Sequence, residues 1–486
     1  MIQKIKNLLF ENTSIKQTIA KNTFWVGLAQ AFAVLGKTGF IIYVARFLGA
    51  TEYGRFNFAL AYTGLFAILT DLGLSSILSR EFAQNEKAHD NFSQFFTLKL
   101  ILSGGAFLLC LLGSLFLGVD YYLLRVIWLF SAYTCLYGFI GIFYAYFGGT
   151  QHLQYLAISD ICISVISAAL GIWAVMTHST SLSLALAYLA AILVSFIWIF
   201  YVYSKKNGCP KLVFDFSLWK STLIISIPLA FVALFSTVYN NIDQFILGMF
   251  GQFEQVGWYG AALKIISVSL IPMAVICGAF LPMLNKLYTQ DKEKFSRVFN
   301  FEMEIMIMLA TAIFVGGSIL AYPLIGWAFD QTFFPAAQAL RILLLTSVVF
   351  YFYQPIAGAL ISANKQKWLL ISGLTAALLN TVLDILLVPK FSLYGTAIAS
   401  VIGMTSSLLV IVLVMQSTKI ANLFSRENIA ALLLSLFCAA GMALVLLPIR
   451  NSLHVIILTF LGMVIYLGLY CALRFTLLKR YFIEIF

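Results

Sequence analysis

Charge is scarce in this chain. Asp, Glu, Lys and Arg make up 10% of its 486 residues, where a soluble domain carries about 25%. That shortage excludes an ordinary soluble fold, which has a wet surface to cover. Histidine is nearly missing: the four present, His89, His152, His178 and His454, stand apart, so a metal site is not expected. The seven cysteines include no CxxC spacing. Cys110, Cys135, Cys162, Cys277, Cys438 and Cys471 lie in or at the edge of apolar runs and Cys209 in a polar one, so neither a disulfide nor a redox motif is expected. No HExxH, serine elbow or paired-carboxylate site occurs. Gly36-Lys37-Thr38 looks like the end of a phosphate-binding loop, but Ala31 stands where that loop needs glycine, and the segment is apolar. An enzyme is not expected. Proline is missing from the first 209 residues: all nine lie from Pro210 onward.

What the chain has is oil. Hydrophobic residues are 62% of it and the mean hydropathy is +0.97. Apolar runs of about 20 residues, each long enough to cross a hydrocarbon core of about 30 Å as a helix, follow one another from residue 24 to residue 473. Fourteen such runs can be drawn. They are continuous rather than alternating, which excludes a β-barrel. The connections are short, leaving no room for the 50 or more residues of a soluble domain. The expected fold is an all-α polytopic membrane protein of about fourteen transmembrane helices. Counted over alternate loops, one side collects 21 of the 30 basic residues, from Lys4 to Arg480, and the other only Arg46, Arg55, Arg125, Arg341, Lys390 and Arg450. Basic loops stay in the cytoplasm, so both termini are expected there. The net charge of +11 records this bias and does not point to nucleic acid. Residues 1–21 lack a signal-peptide cleavage site; Ile2, Ile5, Leu8 and Leu9 share a helical face, which suits either a short helix on the inner leaflet or a frayed tail.

A polar corner occurs twice. "FLGATEYGRF" from Phe47 and "MFGQFEQVGWYG" from Met249 share their punctuation, Gly49 and Glu52 matching Gly251 and Glu254, with Gly54 near Gly257. Each corner joins two spans on the external side. Spans one to six would then repeat as seven to twelve, in the same orientation, and substrate binds near the midplane of such repeats. The domain plan is a cytoplasmic segment 1–21, an N-terminal lobe 22–210, a C-terminal lobe 211–420, and two extra helices with a tail over 421–486.

The run "ARFLGATEYGRFNFALAYTGLFAILTDLGLSSILSRE" resembles the start of the Wzx-type oligosaccharide flippases, through Arg46, Leu48, Gly49, Tyr53, Gly54, Asp71, Leu72 and Gly73. "NNIDQFILGMFGQFEQVGWYGAALKI" is similar to the same family through Asn241, Asp243, Gly257, Tyr259 and Lys264. The resemblance implies the superfamily that holds MATE exporters and the lipid II flippase, with two six-helix lobes around a cavity open alternately to each side. It implies transport of an undecaprenyl-diphosphate-linked oligosaccharide from the cytoplasmic to the periplasmic leaflet of the bacterial inner membrane. Membrane lipids, a polysaccharide polymerase and a chain-length regulator are the further partners implied.

No residue role comes with the resemblance, so the site is read from charges inside the spans, which cost at least ~2.5–3.5 kcal/mol each and face a cavity or one another. Lys37 and Lys264, with Arg341 at the external mouth, suit a diphosphate. Asp71, Asp160 and Asp243 would repel one, and suit charge partners or carriers of a coupling ion; no bound cofactor is implied, and coupling to an H⁺ or Na⁺ gradient stays open. Lys99 and Asp384 are further ionisable groups within or at the ends of spans. Arg46 and Arg55 read as anchors of helix ends. Pro228, Pro272 and Pro355 fall inside spans and favour kinks. The alternative function is a MATE-like multidrug or metabolite exporter, whose cavity should be acidic rather than basic.

Overall fold

The computed structural model describes residues 37–478, apart from Glu86, Phe424 and Asn451. The segment 1–21 with its apolar face, the start of the first span and the last eight residues lie outside the described residues. With no water to satisfy backbone N–H and C=O groups, a chain inside a bilayer must bond within itself, and the described residues are helical almost throughout, with no strand among them.

Two compact units divide at Gly257 and Trp258. The first holds α1 (Lys37–Asp71), α2 (Leu74–Gln84), α3 (Phe92–Ser114), α4 (Tyr121–Gly149), α5 (Leu153–Thr177), α6 (Ser181–Asn207) and α7 (Phe216–Met249), with the first turn of α8 (Phe253–Ser269). The second holds the rest of α8, then α9 (Ile271–Gln290), α10 (Lys292–Phe329), α11 (Pro335–Ser362), α12 (Lys367–Thr418), α13 (Arg426–Ile449) and α14 (Val455–Leu478). Polar side chains start several of these helices by accepting from otherwise unsatisfied backbone N–H groups. Asp120 serves α4, Thr180 serves α6, Asp215 serves α7 and Ser425 serves α13. Asp291 accepts from the N–H groups of Lys294 and Glu293 at the start of α10, and these bonds hold its carboxyl below the usual range.

Twelve helices are long and apolar enough to cross a membrane. Two of them are each a pair of spans joined without a loop. A straight helix the length of α12, 52 residues, would run about 78 Å; instead Ser392 (φ 51°, ψ −131°) folds it back. Gly49 (φ 72°, ψ 171°) does the same in α1. About fourteen spans result, the first beginning before the described residues.

The repeated corner is a real structural repeat. Gly251 has φ 72°, as Gly49 does, a left-handed conformation that L side chains resist. The two corners also touch inside the first unit through the matching glycines. A Cβ on Gly54 would lie 1.6 Å from the Phe253 carbonyl oxygen, and one on Gly257 would lie 2.1 Å from that of Ala50. Only glycine lets the backbones approach so closely. The span after each corner is broken part-way, the first at Leu72–Gly73 and the second at Leu270. Pro272 therefore sits in the first turn of α9, just after a break, where its missing N–H costs no bond. Pro228 and Pro355 lie within α7 and α11.

Between helices in lipid, packing and buried polar contacts do the work that hydrophobicity does in water. The first unit's core is aromatic: Phe92 stacks on Tyr203 at 4.0 Å, amid Phe82, Phe96, Phe143 and Tyr146. In the second unit α13 and α14 are tied to α10. The Tyr466 hydroxyl donates to the Met308 carbonyl at 2.9 Å, and Arg474 and Tyr470 both donate to Glu304.

Candidate functional site

The break in the second span builds the first unit's central polar feature. Leu72 (φ 47°) and Gly73 (φ 76°) are consecutive left-handed residues that end α1 and start α2. Asp71, on the last turn of α1, reaches across the break and accepts from the Ser75 N–H at 3.2 Å and from its hydroxyl. The carboxylate thus caps α2 where the helix dipole favours negative charge. Lys99 of α3 completes the arrangement. Its ammonium is fully buried and paired with Asp71, and it donates to Ser75 Oγ and the Gly138 carbonyl at 3.3 Å and to the Thr70 carbonyl at 3.4 Å. Four helices meet on this one pair. The Asp71 side chain keeps 30% exposure, so the pair is open on one side.

Asp160 lies on α5, half-buried. Its Oδ1 accepts from the Tyr144 hydroxyl of α4 at 2.7 Å, and the same hydroxyl oxygen lies within hydrogen-bond distance of Ser159 Oγ at 3.1 Å. Ser159 in turn bonds Ser195 of α6. Asp243, near the end of α7, is buried at 7% exposure.

At the first corner Arg55 donates to Glu52 at 2.8 Å and lies 3.7 Å from Asp120. Glu52 also accepts from the Tyr122 hydroxyl at 2.8 Å and from the Ser181 N–H at 2.9 Å, at the start of α6. These are anchoring contacts: Arg55 and Glu52 hold helix ends together.

Of the cations assigned to the diphosphate, Lys37 opens α1 and its side chain lies outside the described residues. Lys264 is half-buried on α8. Arg341, six residues into α11, donates through Nε to the Ser318 carbonyl at 2.9 Å and lies 5.1 Å over the Tyr322 ring. No carboxylate among the described residues pairs with it. A carbonyl and a ring face hold its guanidinium. Lys264 and Arg341 belong to the second unit, whereas Asp71, Asp160 and Asp243 belong to the first.

The fold-back of α12 sets Gly403 against Asn380 and Gly395 against Leu387. Asn380, Asp384 and Thr396 are all fully buried on this helix pair. Among the described residues no three His, Cys, Asp or Glu side chains group as metal ligands.

Sequence reasoning passed over Glu302 and Glu304, both buried on α10 at 1% and 9% exposure. Glu302 neighbours Cys277, and Glu304 pairs with Arg474. The signal was available: two glutamates inside one apolar run. Arg474 is thus a structural partner as well as a basic residue near the chain's end.

Apolar helices long enough to cross a membrane, carrying ionisable side chains and a repeat whose second span is broken each time, mark a multi-pass membrane protein. Within that class, the chain belongs to the polysaccharide biosynthesis protein family, whose profile matches residues 19–288. The MatE profile matches residues 228–386. The capsular polysaccharide biosynthesis protein CapF of Staphylococcus aureus is 22% identical over 79% of this chain and 96% of its own length. The probable low-salt glycan biosynthesis flippase Agl15 of Haloferax volcanii is 24% identical over 80% of each chain. In fold, the chain is similar to the lipid II flippase MurJ in an inward closed conformation, with a TM-score of 0.75 at 15% identity over 93% of this chain and 99% of that one. An inward-facing multidrug resistance MATE family transporter of the MOP superfamily gives 0.64 at 17% identity, over 80% and 95%. The resemblance read from the Arg46–Gly73 run holds, and the chain is a transporter rather than an enzyme.

Proposed function

We propose that this protein is a lipid-linked oligosaccharide flippase, moving undecaprenyl-diphosphate-linked polysaccharide repeat units from the cytoplasmic to the periplasmic leaflet by alternating access. It would sit in the bacterial inner membrane with both termini in the cytoplasm, as the basic loops favour. Family membership and the flippase and polysaccharide-biosynthesis relatives support the substrate class. The observation that carries the reading is Arg341, a half-buried guanidinium with no carboxylate partner among the described residues, together with Lys264 inside the eighth span. A planar guanidinium matches phosphate geometry, and such cations oppose a cavity for cationic drugs. Lys37 joins them in this proposal. The mid-span carboxylates are the groups proposed to carry a coupling H⁺ or Na⁺.

The test is depletion of the protein in its own host. Lipid-linked oligosaccharide should accumulate on the cytoplasmic leaflet, and re-expression should clear it. Unchanged leaflet distribution, with raised sensitivity to cationic drugs, would favour the exporter reading instead.

A further inference from the structure

One face of α4 carries more polar and aromatic chemistry than packing needs. Tyr133, Tyr137, Gly141 and Tyr144 follow one another at helical spacing. Tyr137 lies about 24 Å along α4 from its start, at 1.5 Å per residue, so this stripe is deep in the membrane. Yet Tyr137 is 49% exposed, its ring stacked on that of Tyr133 at 6.3 Å and 23°. Tyr188 of α6 stands edge-on to Tyr133 at 5.6 Å.

Carboxylates flank the stripe on both sides. Asp160 takes the Tyr144 hydroxyl and lies within electrostatic reach of Tyr133 and Tyr137. On the other side the Asp71–Lys99 pair abuts Gly141, where a Cβ would meet Ser75 Oγ at 3.0 Å and Lys99 Nζ at 3.3 Å. The bare backbone at Gly141 lets Ser75 and the Lys99–Asp71 pair pack close against α4 between two tyrosines.

A lipid-facing surface does not explain this. Partly exposed carboxylates against acyl chains would cost at least ~2.5–3.5 kcal/mol each. A diphosphate would be repelled by Asp160, and an isoprenoid tail would leave the half-exposed Tyr137 hydroxyl facing hydrocarbon. A neutral ligand rich in hydroxyls, with apolar C–H faces, meets every requirement. Ring faces supply flat apolar platforms, and carboxylates accept strong hydrogen bonds from hydroxyl groups.

We infer that the Tyr133–Tyr137–Tyr144 face of α4, with Asp160 and Asp71 beside it, is the subsite for the carbohydrate part of the substrate. The inference rests on the flippase reading and deepens it, assigning the sugar part of that substrate to residues of the first unit.

The full-length protein in lipid nanodiscs tests this, with two probes. One is bare undecaprenyl diphosphate, and the other is the same lipid carrying the oligosaccharide, extracted from the host's membranes. Binding of each is measured by native mass spectrometry for the wild type, Tyr137→Leu and Tyr144→Phe. Both variants should bind the sugar-bearing lipid about tenfold more weakly and the bare lipid as well as the wild type does. Unchanged bare-lipid binding shows that a variant is folded; if Tyr137→Leu is lost from the membrane, the milder Tyr144→Phe decides. An equal fall for both lipids, or no fall for either, overturns the subsite. So does a wild type that binds both lipids equally. A wild type that binds neither lipid overturns the flippase reading itself.

Discussion

Lys99 shows what a single buried charge does in this fold. Its ammonium holds Asp71, and Asp71 caps α2 across the break in the second span. Removing the cation leaves a carboxylate in a low-dielectric interior, which destabilises by roughly 3–5 kcal/mol. Lys99→Met should therefore drop the protein's abundance in membranes, and adding Asp71→Asn should restore most of it, as read by immunoblot against a fluorescent fusion. A double variant no more abundant than Lys99→Met would show that the pair is not what holds the break. Arg341 and Lys264 make a different prediction. If they hold a diphosphate, charge matters and stability does not. Arg341→Gln and Lys264→Gln should keep normal abundance and lose transport about tenfold or more, with Arg341→Lys and Lys264→Arg keeping part of it. Leaflet distribution of the lipid-linked oligosaccharide is the measurement; full transport by the Arg341→Gln, Lys264→Gln double variant would end this assignment.

Helices here are defined by where they stop. Gly73 has φ 76°, and a Cβ there would come within 2.9 Å of the Ser226 carbonyl oxygen. Gly73→Ala meets both a left-handed backbone, at about 1–2 kcal/mol, and a neighbour made of backbone. It should lower the thermal stability of the purified protein and slow transport, whereas Gly104→Ala, at a position with open space around it, should do neither. The corners are tighter still. Gly54→Ala would force Ala50–Gly54 and Phe253–Gly257 apart, and a chemical crosslink between cysteines placed at Thr51 and Glu254 should weaken in that variant. An unchanged crosslinking yield would mean that the corners do not depend on glycine contact. Pro355, buried within α11, removes one backbone bond from a span. Pro355→Ala should insert normally and transport more slowly.

For the whole molecule, orientation is the property most open to test. Cys209, exposed in the loop after α6, is native. In intact cells it should be shielded from an impermeant thiol reagent, while Glu254→Cys at the external corner should react. Labelling of Cys209 from outside would invert the topology and, with it, the direction of transport proposed here.

Length, hydropathy and the basic loops were enough to determine a helical membrane protein of about fourteen spans, because a bilayer imposes one rule on every residue that enters it. The repeated corner was legible for the same kind of reason: a left-handed turn between close-packed backbones needs glycine, and Gly49, Gly54, Gly251 and Gly257 announce it. What sequence reasoning could not reach was pairing. Lys99 and Asp71 are 28 residues apart and Arg474 and Glu304 are 170 apart, and nothing in local spacing says which intramembrane charge finds which partner. Nor could periodicity say that Tyr137 is exposed while Phe139 is buried, since in a span apolar on every side the helix has no polar face to read. Only the packing of α4 among its neighbours decided which tyrosines were left open, and only the break at Leu72–Gly73 made Asp71 a cap for α2 and a partner for Lys99.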